Sequence, residues 1–179
     1  MSWLKPRYLT GVAATLLVAA CGFTPVYAPG GAGFALQGNV TIEAPETLGA
    51  QDETDAYFLV QNLEQRLGRN AAGAYFLDVD LRTRSEGQAI TADNEITRYS
   101  VVGYADYSLV RQADGMILAS GNVQNFTGYS ATGSTVETLA GERDAQRRLM
   151  TILADQIVTE LLTNTEITAP ANPAGQTNG

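Results

Sequence analysis

Histidine is absent from all 179 residues of the chain. This absence removes the commonest general base and, with it, the Ser-His-Asp and Cys-His arrangements of nucleophilic enzymes. It also removes most zinc sites, because imidazole is a frequent zinc ligand. We therefore expect no enzyme activity of these classes, and no cofactor.

Basic residues are scarce as well. The chain has 11 lysine and arginine residues against 19 aspartate and glutamate residues, which gives a formal net charge of −8. Proteins that bind nucleic acids present basic surfaces to the phosphates. A nucleic-acid partner is therefore not expected.

The apolar run near the N-terminus is short. LTGVAATLLVAA, residues 9–20, is uncharged and follows Lys5 and Arg7. Its 12 residues are too few for a membrane-spanning helix, which needs about 20. A positively charged start followed by a short apolar run is typical of a secretory signal peptide. We predict that residues 1–20 are such a signal.

Cys21 is the only cysteine in the chain and directly follows this run. Leu17-Val18-Ala19-Ala20-Cys21 resembles the bacterial lipobox. That resemblance implies cleavage before Cys21, a diacylglycerol thioether on its sulfur, and acylation (such as palmitate) of its new amino group. The alternative is a core cysteine without a role. Lipidation also accounts for a lone thiol in an oxidising compartment, where it has no partner. Gly22 at the next position favours the outer membrane in lipoprotein sorting.

The predicted mature chain has an unusual set of charges. Cleavage before Cys21 removes Lys5 and Arg7 and no acidic residue, so that nine arginines and no lysine face 19 acidic residues. Arginine is well suited to bidentate contacts with carboxylates and phosphates.

Hydrophobic periodicity predicts one α+β domain over residues 34–163. Residues 21–33 are rich in Pro and Gly, which predicts an extended, lipidated tether. FALQGNVTIEAP (34–45) alternates as a strand does. In DAYFLVQNLEQRL (55–67) the apolar residues follow helical spacing, and Gly68 would end the helix.

Three further strands and a long helix follow. AYFLDVDLRTR (74–84) alternates apolar and charged residues, and a polar loop is predicted over 85–95. The segments 96–112 and 116–127 read as strands joined by a turn at Asp114-Gly115. A capping box, Ser134 to Glu137, opens a helix to Thr163. On a helical wheel one apolar stripe of this helix contains Leu139, Leu149, Met150, Leu153, Ile157 and Leu161.

These elements define the predicted fold. It is a two-layer α+β sandwich in which a four-stranded, mostly antiparallel or mixed sheet has two helices packed on one face, in the order β-α-β-β-β-α. Residues 164–179 have no apolar period and are predicted to be disordered.

Two sets of charged residues were weighed as sites. Asp78 and Asp80 share a strand face, as the carboxylates of a hydrolase could, but a solvated strand face beside Arg82 and Arg84 is the favoured explanation. Arg82 and Arg84 also share that face, and with Arg98 and Arg111 they make the strand region locally basic. Such arginines could bind an anionic ligand, or they could pair with Asp78, Asp80 and Asp106.

Three features together resemble a known family. They are the leader ACGFTPVY (20–27), the order of elements, and TLAGERDAQRRL (138–149) at the start of the last helix. They resemble the lipopolysaccharide-assembly lipoprotein family LptE in its alphaproteobacterial form.

The resemblance implies a protein without enzymatic activity, anchored at the periplasmic face of the outer membrane. It further implies a plug and assembly partner of the β-barrel LptD, with possible lipopolysaccharide contacts, which we assign to Arg82 and Arg84. The alternative is another outer-membrane lipoprotein, either a small-ligand carrier or an auxiliary subunit of an envelope transporter.

The first prediction concerns the anchor. Replacing the cysteine (Cys21→Ala) should leave the fold intact and release the protein from membranes, because no sulfur remains for the diacylglycerol. Mass spectrometry of the wild-type N-terminal peptide, together with membrane fractionation of both proteins, measures this. A wild-type peptide without an acyl adduct would contradict the assignment.

Overall fold

The computed structural model describes residues 26–45, 50–90 and 95–164. In chain order its elements are α1 (Ala32–Leu36), β1 (Val40–Ile42), α2 (Ala50–Leu67), β2 (Tyr75–Ile90), β3 (Ile96–Arg111), β4 (Ile117–Ser130) and α3 (Thr135–Asn164). The strands form one sheet in the order β1-β2-β3-β4. The β1–β2 pair is parallel, and the other two pairs are antiparallel. The predicted α+β class and the order β-α-β-β-β-α are confirmed, with one additional short helix in front.

Alternation along the strands separates the two faces of the sheet. On β2, Tyr75, Leu77 and Val79 are buried, whereas Asp78 and Asp80 between them are exposed. Successive strand residues point to opposite faces, so the first set faces the helices and the second faces solvent. We call these the inner face and the open face.

The long helix α3 packs on the inner face of β3 and β4. Its 30 residues extend about 44 Å at 1.5 Å per residue. The fully buried residues of its apolar stripe are Leu149, Met150, Leu153, Ile157 and Leu161. On β3, Gly103 allows the close approach, because a Cβ atom there would lie 2.9 Å from Leu153 Cδ1 and 3.0 Å from Leu149 Cδ2.

Two hydrogen bonds fix α3 on the sheet. The buried Thr127 hydroxyl of β4 donates to the carbonyl of Ala145 at 2.7 Å. The Tyr107 hydroxyl of β3 donates to Glu160 Oε2 at 2.5 Å. Burial, followed by this bond to Glu160, raises the pKa of Tyr107 above its ordinary value. Both donors are thereby satisfied inside the interface, where an unpaired polar group would be costly.

The helix α2 connects the parallel strands β1 and β2. Its buried apolar residues, Ala56, Leu59, Leu63 and Leu67, follow the predicted helical spacing, and Asp55 is buried beside them. Gly68 ends the helix with φ +84°, and its N–H donates to Glu64 O at 2.9 Å. Because only glycine adopts such a φ easily, the predicted stop is confirmed.

The segment before β1 differs from the prediction. Residues 34–36 belong to the helix α1, and only Val40–Ile42 of the predicted strand 34–45 pair with β2. The described part of the predicted extended tether is folded, since Ala28 to Gly31 form a turn with a 2.8 Å bond from Gly31 N–H to Ala28 O. Pro29-Gly30, with φ +93° at Gly30, is typical of a type II turn.

Three further differences concern the ends of elements. β2 continues to Ile90, so the loop predicted over 85–95 is wrong for most of its length, and residues 91–94 lie outside the described residues. Leu139 is 45% exposed, although the predicted stripe included it. Gly141 of α3 lies beside Tyr129, which is one residue before the end of β4. Little of the sheet therefore remains beneath the first turns of the helix. The predicted tail, apart from Asn164 at the end of α3, also lies outside the described residues.

The capping box of α3 is confirmed. The Ser134 N–H donates to Glu137 Oε2 at 2.7 Å, and the Glu137 N–H is 3.4 Å from the Ser134 hydroxyl oxygen. The bond from the Ser134 backbone lowers the pKa of the Glu137 carboxyl. This reciprocal arrangement satisfies N–H groups that the first helical turn leaves without partners.

The second prediction tests the core. Leu153→Ala should lower the free energy of unfolding by about 2–5 kcal/mol, because it leaves a cavity beneath α3. Leu139→Ala is the matched control on the same helix, and its effect should stay within about 0.5 kcal/mol because that side chain is half exposed. Urea denaturation of both variants measures the difference. Equal costs would contradict the observed orientation of α3.

Candidate functional site

The open face of the sheet carries the residues that the sequence singled out. In register across the three long strands, Arg82 lies beside Tyr104 and Gln124, and Arg84 lies beside Val102 and Phe126. Because these residues all lie on alternate strand positions, the fold brings both predicted arginines to one surface.

Both arginines have carboxylate partners. Arg82 forms an ion pair with Asp106 of β3, and Arg84 Nε lies 2.7 Å from Glu86 Oε1. The cross-strand alternative for Arg82 is thus confirmed for Asp106. The two pairs are solvated, with the arginine side chains 65% and 60% exposed. Exposed ion pairs contribute only about 0–1 kcal/mol, so another anion could replace the carboxylates at low cost.

Tyr104 orders the second arginine. Its hydroxyl accepts a 2.9 Å hydrogen bond from Arg84 Nη2, and the guanidinium carbon lies 5.3 Å from the centre of its ring. Arg82, Thr83, Arg84 and Tyr104 line a cavity of about 430 Å³. Beside it, Phe126 is 66% exposed. The surface can therefore contact both an anionic group and an apolar chain.

The two edges of the sheet differ in charge. β1 pairs only with Tyr75–Leu77, so the rest of β2 has no described strand on that side. This edge strand carries five charged residues from Asp78 to Glu86. The other edge, β4 (ILASGNVQNFTGYS), has none over 14 residues. Edge strands usually carry charges or proline that prevent pairing with other chains. The β4 edge lacks this protection.

A second pair of neighbouring arginines, on the helix layer, was not predicted from the sequence. Six of the nine described arginines form ion pairs with carboxylates. The other three described arginines are Arg98, Arg143 and Arg147. Arg143 and Arg147 line a cavity of about 340 Å³ together with Asp55 and Phe58 of α2, and the Arg147 guanidinium carbon lies 5.9 Å from the centre of the Phe58 ring. Their spacing of four residues, with no carboxylate four residues before or after either, was the signal available.

The other residues predicted from the sequence, Cys21, Asp78 and Asp80, do not form a further site among the described residues. Cys21 lies outside the described residues. Asp78 and Asp80 are exposed on the open face, where Asp80 is in register with Asp106. Within residues 26–45, 50–90 and 95–164, no group of three or more acidic or cysteine side chains could hold a metal ion.

None of the described helices is both long enough and apolar enough to cross a bilayer.

The fold places the chain among small α+β sandwich proteins in which helices cover one sheet face and leave the other free. A family model described as LptE, lipopolysaccharide-assembly, matches residues 39–161. The match runs from the residue before β1 to near the end of α3. The chain belongs to the LptE family. No curated protein matches it.

Solved structures share this fold at low sequence identity. A protein from Caulobacter crescentus described as a lipoprotein is 21% identical, with a TM-score of 0.58 over 74% of this chain and 93% of that chain. The rare lipoprotein B from Shewanella oneidensis is 7% identical, with a TM-score of 0.51 over 68% and 92%. Lipoprotein B from Nitrosomonas europaea is 13% identical, with a TM-score of 0.51 over 69% and 81%. At these identities the likeness concerns the fold alone.

Proposed function

We propose that this protein is an outer-membrane lipoprotein, anchored through Cys21, that acts as plug and assembly partner of an LptD-like β-barrel. In this role it supports insertion of lipopolysaccharide at the cell surface. The observation that carries the proposal is the family match over residues 39–161, which covers almost the whole sandwich from β1 through α3.

The anchor follows from the sequence of the leader. The lipobox-like LVAAC ends at Cys21, and the described part of the chain begins at Val26. With so few residues between them, the domain remains at the membrane to which the lipid is attached. A binding role for the domain is consistent with its described surface, which offers solvated ion pairs and an open sheet rather than a cleft.

We propose the β4 edge as the surface that meets the barrel. It is long, uncharged and free of proline, so its backbone groups and side chains can approach another protein without desolvating a charge. The opposite edge is also long and free of proline, but charged side chains occupy alternate positions of β2 from Asp78 to Glu86. The difference between the edges gives the domain one preferred side for docking.

We propose Arg82 and Arg84 as contacts for lipopolysaccharide phosphates. Guanidinium groups bind phosphate in bidentate geometry, and the carboxylates that now hold them are weakly bound competitors. Phe126 and Tyr104 on the same face could contact an acyl chain or sugar beside the phosphate.

The alternative of a small-ligand carrier finds less support. Such a protein needs an enclosed and mainly apolar pocket. The cavities of about 320–430 Å³ described in this chain include charged side chains in their lining. The space between sheet and helices is instead filled by the core residues of α3.

The third prediction concerns the barrel. Purification of the lipidated protein from detergent-solubilised membranes should recover one large β-barrel protein. The double variant Asn122→Lys/Gln124→Lys should lose most of that protein, because it places two charges at the β4 edge. Gln65→Lys/Thr159→Lys adds the same charge to the exposed helix layer and should retain it. If the wild-type protein is recovered without a β-barrel protein, the proposed partner is contradicted. If both double variants recover equal amounts of the β-barrel protein, the proposed edge is contradicted.

The fourth prediction concerns lipopolysaccharide. Arg82→Ala/Arg84→Ala should weaken binding of purified lipopolysaccharide by at least about ten-fold, because even one hydrogen bond to a charged group contributes roughly 1.5–3 kcal/mol and each 1.4 kcal/mol is a factor of ten. Arg69→Ala/Arg148→Ala removes the same charge from two other exposed ion pairs and should have little effect. Titration of the immobilised proteins measures both. Equal weakening by the two double variants would indicate a general charge effect and contradict the assigned residues.

A further inference from the structure

We propose that the segment from Val26 to Phe34 is a membrane-docking loop that seats one end of the domain in the lipid headgroup region. The docking loop is defined by three exposed apolar side chains, Val26, Tyr27 and Phe34. This inference rests on the proposed lipidation of Cys21 and adds to it a second contact with the bilayer.

The three side chains belong to one compact segment. Their exposed fractions are 38% for Val26, 58% for Tyr27 and 55% for Phe34. The Gly33 N–H donates to Val26 O at 3.0 Å, which closes the loop. The Tyr27 ring lies against Gly33, since a Cβ atom at that position would be 2.8 Å from Tyr27 Cδ1. Tyr27 and Phe34 are therefore near neighbours.

The docking loop is fixed to the domain. Directly after Phe34, Ala35 and Leu36 enter the core, and Leu36 is fully buried. At the end of α1 the Gly38 N–H donates to Leu67 O at 2.6 Å, which joins the segment to the end of α2. A contact made by the loop would consequently orient the whole domain.

The length of chain from Cys21 to Val26 identifies the partner as a lipid surface. Five residue steps span at most about 18 Å when fully extended. Acyl chains on Cys21 lie in the hydrocarbon, so the loop stays within this distance of the bilayer. The headgroup region is the environment in which tyrosine and other amphipathic side chains are favoured, because one part of the ring is apolar and another part is polar.

The same end of the sheet carries two further exposed apolar residues. The Gln112 N–H donates to Ala74 O, and the Tyr75 N–H donates to Asn39 O, so the β3–β4 turn and the start of β1 lie at one end. Just after the turn, Met116 is 56% exposed and Ile117 is 59% exposed. With this end on the membrane, the strands extend away from it, and the start of β3 at Ile96 lies about 50 Å along the sheet.

A single tryptophan can test the contact. The chain's only tryptophan is Trp3, which is lost with the predicted signal, so Phe34→Trp in the mature lipoprotein provides a unique fluorophore. The protein is reconstituted into vesicles of phosphatidylethanolamine and phosphatidylglycerol, with and without phosphatidylcholine brominated on its acyl chains. Leu139→Trp is the matched control, because Leu139 is 45% exposed, has no part in the proposed binding surfaces and lies near the start of α3, beside the end of β4 that is about 40 Å from Ile117.

The expected result is a blue-shifted emission from Phe34→Trp that loses most of its intensity with brominated lipid, while Leu139→Trp is unaffected. Unquenched emission from Phe34→Trp in protein that floats with the vesicles would overturn the docking loop and leave the anchor in place. Equal quenching of both would overturn the end-on orientation. An N-terminal peptide without an acyl adduct would overturn the docking loop and the proposed anchor together.

Discussion

The packing of α3 onto the inner face of β3 and β4 is the contact on which the rest of the structure depends. Gly103 has no side chain where Leu149 and Leu153 need the space, so the helix lies close to the sheet. Dense contact of this kind stabilises the fold through both burial and dispersion. Because α2 and α3 pack on the same side of the sheet, the inner face is buried in the core. The open face stays in solvent and can therefore carry charged side chains.

The free face and the two edges follow from that constraint. An antiparallel sheet with one solvated face can alternate apolar and charged residues, as β2 does from Tyr75 onward. Charged residues on β2 make its edge unattractive to other strands, whereas β4 has no such residue. The polarity of the molecule therefore differs from edge to edge within one sheet. A domain with this asymmetry has a side suited to a protein partner and a face suited to polar contacts.

The sequence predicted the elements whose side chains repeat with a strong period. The α2 stripe, the alternation of β2 and the Ser134–Glu137 box are local patterns, and the structure confirms them. α1 was not predicted, because five residues are too few for a stable isolated helix and this one depends on burying Leu36. The end of β2 was missed because its residues from Ser85 to Gln88 are polar or small and show no apolar period.

The partners of charged residues were harder to predict than the residues themselves. Alternation placed Arg82 and Arg84 on one face, but Asp106 is 24 residues from Arg82 and becomes its partner only through the β2–β3 register. That register depends on the whole sheet, so local sequence does not determine it. The same limit applies to Arg143 and Arg147, whose cavity also requires Phe58 of α2. The family resemblance suggested a role for these arginines, whereas their neighbours became known only from the strand register and the helix packing.

The charge balance limits how such a protein could find an anionic lipid. With nine arginines against 19 acidic residues in the predicted mature chain, its long-range field repels anionic groups. Arginine contacts therefore act only within about one Debye length, roughly 8–10 Å in physiological salt. The proposed lipid anchor would solve this difficulty differently from electrostatic steering, because it would hold the domain beside the membrane at high effective concentration. With the proposed anchor supplying proximity, weak and exchangeable ion pairs such as Arg82–Asp106 would suffice for the proposed contacts, and the open face would need to supply only selectivity.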